Sequence, residues 1–491
     1  MKCTITVEDE VWCYISGLMP AHIEFLWDKL GIFTEGYFFA PAFKMGRWDG
    51  KVRFFQKTGK TYVRLLHGVV PYLEAWKYTI DIVDKRSFHA QPDMSRAKIL
   101  KFDADGIAIE AEGCDVFGDA RDSKGRKIEL RPYQLQCLMR AVEEGSGSLS
   151  VSTGGGKSLI TAAISKVYSD VGHRVITVVP SDDLVKQTAA WYRAVGLDTG
   201  VYSGSEKDVH HQCVVATWQS VQNNADMIMS LFTCFIFDEL QGAKATVAQK
   251  ILNESGKHIP FRFGVTGTIP KPKVDQTTIF SSVGPVIHEV KAKWLIDNGF
   301  LAKINIQPIE IDETYIDEDF PDYSSEIAFL SKSTPRLEKI ADLIISHCAT
   351  YGNTMVLVNS NPFGKKLASL IKGAVFLYCE SPSDLRKEHY DMFEEHDDLI
   401  VIASAGIAAA GISIDRIFAL ILIDPKKSFV KAIQSIGRGL RLGRDKDKVM
   451  VLDVHSKLRW AKKHWKSRLV YYKEAEYPVL PVQKLRVKDN S

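Results

Sequence analysis

SLSVSTGGGKSLI, residues Ser148–Ile160, runs an apolar strand (Leu149–Val151) into a glycine-rich turn and then a lysine placed to open a helix. That order is the context of a phosphate-binding loop. Glycines 154, 155 and 156 let backbone N–H groups approach phosphate oxygens, and a helix N-terminus adds positive potential. Lys157 is spaced to reach the β- and γ-phosphates, and Ser158 to ligate magnesium. The full GxxxxGK[ST] pattern fails only at its first glycine, where Val151 stands. A glycine-rich turn without ligand is the plainer alternative, so the loop needs a partner elsewhere in the chain.

One candidate partner is Cys234–Phe237, an apolar run ending in Asp238-Glu239. Two carboxylates at the C-terminal end of a strand lie where α/β proteins form ligand sites. Asp238 suits the magnesium shell, and Glu239 suits orienting and deprotonating an attacking water. Acidic pairs are common in solvated loops, and only the combination with Lys157 gives this one weight. A second candidate is VKAIQSIGRGLRLG, where Gln434, Arg438 and Arg441 are spaced to share one helix face while Ile433, Ile436 and Leu440 take the other. Gly437 and Gly439 each cost such a helix about 0.8–1.0 kcal/mol relative to alanine. Two guanidiniums there could clamp a γ-phosphate as arginine fingers do. A solvated basic face is the alternative.

Around these motifs the chain alternates strands and helices. From Leu130 to about Phe300 the runs LSVS, RVITVVP, CVVATW, CFIFDE and FRFGVTGT recur between helical segments, the rhythm of a parallel sheet covered by helices. An acidic segment, Glu310–Asp322, intervenes. The rhythm then returns as MVLVNS, AVFLYC, LIVIAS, FALILID and VMVLDV. Residues 1–125 instead mix β-like stretches (KVRFFQ, TYVRLLHGVV) with a helix around His22–Leu30 and end in a polar run, GDARDSKGRK. The expected organisation is a small α+β domain over 1–125, α/β domains over 126–302 and 303–456, and a basic, aromatic tail over 457–491.

Bulk composition agrees with several globular domains. At 491 residues the chain exceeds the ~250–300 at which a single core stops growing. With 45% hydrophobic and 25% charged residues it is not expected to be disordered. A net charge of +3 is too mild to announce a nucleic-acid partner, so that partner must be read from local patches. The eight cysteines contain no CxxC pair, which argues against a zinc ribbon or disulfide framework and fits a reducing, cytoplasmic setting. The start MKCTITVEDEVW does not read as a signal peptide. The longest uncharged run, LIVIASAGIAAAGISI, falls short of the ~20 residues of a spanning helix and is expected to be a buried strand and loop, so no membrane association is expected.

In chain order, LRPYQ, TGGGKS, VVPSDDLVKQ, ATWQS, DELQ, TGT, ASAGIAAAGIS and QSIGRGLR form a set that resembles superfamily 2 helicases. The resemblance implies two tandem RecA-like domains with an ATP site shared by Lys157, Asp238 and Glu239 from one and Gln434, Arg438 and Arg441 from the other. It makes Arg131, Tyr133 and Gln134 the adenine-reading element, with Thr153 and the three glycines around the phosphates and Ser158 and Asp238 on magnesium. By similarity, Pro180, Thr217, Trp218, Thr266, Asn359 and Ser404 would lie along the DNA track. Gln241, Thr268, Gly406, Gly411 and Ser413 would couple it to hydrolysis. DELQ replaces the common DEAD, DEAH or DECH box, and GIS stands where many members have GID. DELQ argues against the RNA-unwinding DEAD-box branch.

YFFAPAFKMGRWDGKVRFF, Tyr37–Phe55, resembles the first domain of phage UvsW-type helicases, which reverse forks, migrate Holliday junctions and unwind R-loops in recombination-dependent replication. The implied partner is branched DNA, with RNA–DNA hybrids as a further substrate; a monomer is expected. Lys44, Arg47, Lys51 and Arg53 alternate with Phe43, Trp48, Phe54 and Phe55, a mix suited to phosphate contact and base stacking. The plainer reading is a hairpin with aromatics in the core and cations in water. SKLRWAKKHWKSRLVYYK, Ser456–Lys473, poses the same question: it either grips duplex backbone or docks as an amphipathic helix. His455 and His464 lack metal-ligand spacing. The alternatives left open are an RNA helicase and a restriction-type translocase subunit; a scaffold that does not hydrolyse ATP fits poorly with the intact Lys157, Asp238, Glu239 and Arg438 set.

Overall fold

The computed structural model describes residues 1–122, 125–204, 206–239, 250–267, 269–270, 272–313, 316, 319–378, 380–404, 416–425, 448–474 and 476–487. Its chain divides into two compact units, Met1–Val151 with Gly156–Val290, and Lys291–Ser491 with Ser152–Gly155.

In the first unit, the apolar runs Val175–Val179, Cys213–Thr217 and Cys234–Asp238 are buried at every residue. Runs without alternation suit strands covered on both faces, which is the habit of parallel sheets. They belong to an eight-stranded sheet in the order Glu206–Lys207, Thr199–Ser203, Cys213–Thr217, Val175–Val179, Cys234–Asp238, Phe261–Thr266, Ser146–Val151, Val286–Val290. Every neighbouring pair is parallel except the two-residue edge strand. The C-terminal ends of Ser146–Val151 and Cys234–Asp238 therefore open on the same edge, separated by the one strand Phe261–Thr266. That register is what brings Lys157 near the acidic pair.

The N-terminal part of this unit carries its own four-stranded sheet, ordered Lys60–Tyr62, Trp12–Ser16, Lys2–Val7, Thr79–Asp84. The helix expected around His22–Leu30 is present as Pro20–Lys29. TYVRLLHGVV is corrected: its strand stops at Tyr62, and Leu66–Ala75 is a helix. Val69 and Leu73, one helical turn apart, are both fully buried, so packing of a helical face overrode the β-branched composition. Two hydrogen bonds tie this sheet to the α/β part: Trp12 Nε1 donates to the Asn253 carbonyl and the Glu10 N–H to the Lys257 carbonyl, both at 3.0 Å.

The second unit is a seven-stranded, all-parallel sheet in the order Val375–Leu377, Ile400–Ser404, Thr354–Val358, Ala419–Ile423, Lys448–Ser456, Lys303–Asp312, Gln483–Arg486. Ile400–Ser404 is the buried strand expected in the long uncharged run, whose continuation lies outside the described residues. Lys303–Asp312 takes in the start of the segment read as an acidic connection. Its Ile304, Ile306, Ile309 and Ile311 are buried, and the acidic residues that follow mask that pattern in composition.

The basic, aromatic tail is part of this unit. Arg459–Glu474 is a helix and Gln483–Arg486 an edge strand beside Lys303–Asp312. Trp465 and Tyr472 join the core, and Arg468, 1% exposed, pairs with Asp453 through two contacts of 2.8 and 2.7 Å. Burial alone would raise the Asp453 pKa, but Arg468 and a contact from His455 hold it well below the usual carboxylate range. Glu326, fully buried, accepts the Trp460 and Ala461 N–H groups at 2.9 and 2.7 Å and so caps the helix start. Of the two readings of this stretch, the docked helix describes what is observed.

No described helix is long and apolar enough to cross a membrane.

Candidate nucleotide site and nucleic-acid track

The phosphate loop closes locally. The Gly155 N–H donates to the Ser152 carbonyl at 3.0 Å, while Gly154 (φ +84°) and Gly156 (φ +78°) take the left-handed conformation that glycine adopts at no steric cost. Gly156 then caps the helix Lys157–Asp170 without a side-chain hydrogen bond. Such a helix start presents N–H groups and the positive end of the dipole to an anion. Thr153 and Ser158 are partly exposed on either side.

Gln134 is buried beneath the loop. Its Oε1 accepts the Arg131 N–H at 2.9 Å, its Nε2 lies where a Cβ at position 156 would be, and the φ of +78° there favours glycine. Arg131 is exposed and donates to the Tyr133 hydroxyl at 3.3 Å; Tyr133 itself is fully buried. LRPYQ and TGGGKS thus meet through Gln134 and Gly156. Nothing in either motif alone signals that contact.

Across the intervening strand, Lys157 Nζ lies 2.8 Å from Glu239 Oε1. The pair is an ion contact without aligned hydrogen-bond geometry: Nζ is buried and has no hydrogen-bond acceptor among the described residues. Glu239 adopts φ +55°, a costly conformation for a residue with a side chain, and its N–H donates to the Val265 carbonyl at 2.9 Å. Asp238 is buried, and its Oδ1 lies 3.0 Å from the same N–H. The sheet edge therefore gathers a primary amine, two carboxylates and a glycine cradle. These groups fit a magnesium–nucleotide: the cradle admits phosphate oxygens and the buried amine lacks an aligned acceptor.

Along the same edge, Val179 pairs with Thr217, which brings Pro180 and Thr217 side by side. The Pro180 carbonyl accepts from Gln219 at 3.4 Å, and Thr217 caps the helix Trp218–Gln222. Thr217 and Thr266 are buried, and Trp218 packs partly against the core. Position 44 and position 47, by contrast, are exposed: neither Lys44 nor Arg47 has a side-chain partner among the described residues. Trp48 is half-buried, its indole N–H donating to the Lys51 carbonyl at 2.9 Å.

In the second unit, Val358 pairs with Ser404, so Asn359 and Ser404 stand together at the C-terminal edge. Ser404 Oγ is buried and has no partner among the described residues. The Asn359 side chain donates to the Asp424 carbonyl, as does the Tyr323 hydroxyl. Asp424 takes φ +43°, and its carboxylate receives Arg336 at 2.8 and 2.7 Å while Arg336 also meets Glu313 at 2.6 Å. This buried knot, immediately before the segment carrying Gln434, escaped the reading of the sequence because its members are spread over 112 positions, Glu313 to Asp424. Gln241, Thr268, Gly406, Gly411, Ser413, Gln434, Arg438 and Arg441 lie outside the described residues.

The chain is similar to several known proteins. Residues 127–271 match the family model of the type III restriction enzyme res subunit, and residues 20–83 that of the N-terminal domain of DNA helicase UvsW. The ATP-dependent DNA helicase UvsW of Enterobacteria phage T4 is 24% identical over 429 residues, covering 83% of this chain and 82% of its own. Among solved structures, a fragment of a putative HsdR subunit of a type I restriction enzyme from Vibrio vulnificus has a TM-score of 0.55 at 18% identity, covering 76% of this chain and 71% of its own. The type ISP restriction-modification enzyme LlaBIII bound to DNA has a TM-score of 0.57 at 14% identity, covering 86% and 34%. These two likenesses concern the fold.

Proposed function

We propose that this chain, a superfamily 2 helicase resembling UvsW, hydrolyses ATP to move along DNA and remodel branched structures such as forks, Holliday junctions and R-loops. The observation that carries the motor half is the meeting of Lys157 and Glu239 at one sheet edge, beside Asp238 and the glycine loop. A lysine held by a carboxylate exchanges that partner for phosphate oxygens when nucleotide enters, which frees Glu239 to orient and deprotonate the attacking water. Ser158 and Asp238 would hold magnesium, whose charge stabilises the phosphate oxygens as the terminal bond breaks. Gln434, Arg438 and Arg441 are assigned to the γ-phosphate, and Arg131 and Gln134 to the base. Gln241, Thr268, Gly411 and Ser413 are assigned to coupling hydrolysis with the grip on DNA.

Branched DNA as substrate rests on the match of residues 20–83 and on the exposed cations Lys44 and Arg47. The proposal places the protein in the cytoplasm, acting as a monomer, and extends the substrate to RNA–DNA hybrids at R-loops.

The test measures DNA-stimulated ATPase and strand separation together. Lys157→Ala and Arg438→Ala are each expected to lower the stimulated rate by on the order of 10³-fold, the scale at which γ-phosphate cations act. Unchanged rates would overturn the motor reading. Equal activity on linear duplex and on forks, four-way junctions and R-loops would overturn the branch-specific half alone.

A further inference from the structure

Tyr37–Phe55 holds seven aromatic residues, of which two are core, two are exposed and three, Tyr37, Phe43 and Trp48, are half-buried. Phe54 and Phe55 are core, at 2% and 0% exposure. Phe38 and Phe39 stand 52% and 70% exposed on the turn Tyr37–Phe39, with Phe33 at 51% and Met45 at 57% beside them. Large apolar side chains are favoured in the core, so several left exposed within thirteen residues form a patch of the kind that meets a partner.

Their base is packed. Tyr37 stacks on Phe33 at 4.7 Å, meets Phe43 edge-on at 4.8 Å and lies so close to Gly50 (φ +83°) that a Cβ there would strike its ring. Phe38 and Phe39 lie 4.3 Å apart in a tilted pair built on that anchor. The cations in the same stretch divide likewise. Arg53 is taken up by Asp49, and Lys51 by Asp28 at 2.6 Å. Lys44 and Arg47 remain unneutralised among the described residues, with Glu35 as the one carboxylate of residues 33–53 outside those pairs. An exposed apolar pair on a packed base, with two exposed cations in the same stretch of chain, is complementary to an anionic backbone that carries planar rings.

We infer that Phe38 and Phe39 form a stacking platform for unpaired nucleobases of single-stranded DNA, with Lys44 and Arg47 taking the adjacent phosphates. The inference rests on the DNA-motor reading above and deepens it by naming the element that would hold bases parted at a branch. Every base offers a π-face, so the platform is indifferent to sequence, as a remodeller of many junctions requires.

The probe is a fork carrying 2-aminopurine at the branch point, with a plain single strand as second ligand and the full chain as the protein. Phe38→Leu/Phe39→Leu keeps the apolar character and removes the rings. It is expected to bind the single strand roughly tenfold more weakly and to lose the quenching of 2-aminopurine, since stacking contributes about 1–3 kcal/mol per base. Phe38→Trp/Phe39→Trp is expected to retain both. ATPase stimulated by saturating linear duplex is expected to stay at the wild-type rate in both variants. If the leucine variant binds and quenches like wild type, the platform is overturned while the motor stands. If it changes only self-association or the capture of another protein, the face is a protein interface and the inference fails. Absence of DNA-stimulated ATPase in the wild-type chain would instead sink the motor reading on which it rests.

Discussion

Tyr37–Phe55 and Ser456–Lys473 read almost alike: each mixes lysines and arginines with large aromatic rings. Their surroundings treat them in opposite ways. In the second stretch Arg468 is buried against Asp453, Trp465 stacks on His455 at 4.7 Å, and the Tyr472 hydroxyl donates to Asp453 at 2.7 Å. In the first stretch two phenylalanines and two cations face outward together. Basic, aromatic composition is thus compatible with a buried lock or with an exposed face. What separates the two is whether a distant carboxylate waits inside the core.

The lock should fail hardest. Arg468→Ala leaves Asp453 buried and unpaired, and breaking such a pair costs about 3–5 kcal/mol. Urea unfolding of the full chain should show the transition of the second unit moving to lower denaturant by that amount. A loss under about 1 kcal/mol would mean that the helix is held by apolar contact alone. Arg468→Met with Asp453→Leu should recover most of the stability, because both charges then leave the interior together.

Acid should separate the two regions less sharply but in a fixed direction. Asp453 has a depressed pKa in the fold, so its contribution is present above the ordinary carboxylate value and is lost as pH falls below about 4. Burial also lowers the His347 pKa from 6.5 to about 4. Between those values the unfolded chain takes up a proton that the folded chain refuses, so stability declines as pH drops from about 6.5 towards about 4. Thermal unfolding followed across pH 7 to 4 should therefore show the second unit weakening, and His347→Gln should flatten the upper part of that decline. A transition independent of pH between 7 and 4 would count against the His347 assignment, and one that stays independent below about pH 4 would count against that of Asp453.

The smallest effects on stability belong to the open face. Lys44→Ala and Arg47→Ala should each change unfolding free energy by no more than about 0.5 kcal/mol. Each should weaken DNA binding across sequences and reduce the slope of log affinity against log salt by about one. A binding slope unchanged in both variants would remove these cations from the DNA contact and narrow the difference between the two stretches.

Much of the fold was readable because its signals are local. Runs such as VITVV and CFIFD carry their burial in their own composition, and they became central strands. Reading failed where neighbours in space decided. TYVRLLHGVV has strand-like residues, but a helical face at Val69 and Leu73 had a core to fill. KINIQPIEID merges into acidic sequence, yet Lys303–Asp312 pairs with Lys448–Ser456 along nine residue pairs. At the candidate site, the glycine turn of TGGGKS opening a helix and the strand ending at Asp238 were legible. The seating of Gln134 under Gly156 and the knot of Arg336, Glu313 and Asp424 were not, because each joins residues that no short window contains.

The sequence by itself determined the glycine loop before a helix, the acidic strand end and the tandem α/β rhythm, since glycine conformations, helix starts and apolar runs are properties of a few consecutive residues. Tertiary structure alone decided which residues of two similar basic, aromatic stretches became core and which stayed outside. Burying a charge is tolerable only beside an opposite one, and the partner for Arg468 stands on a separate strand, at Asp453. Lys44 and Arg47 have no such partner among the described residues, and so the same chemistry faces outward.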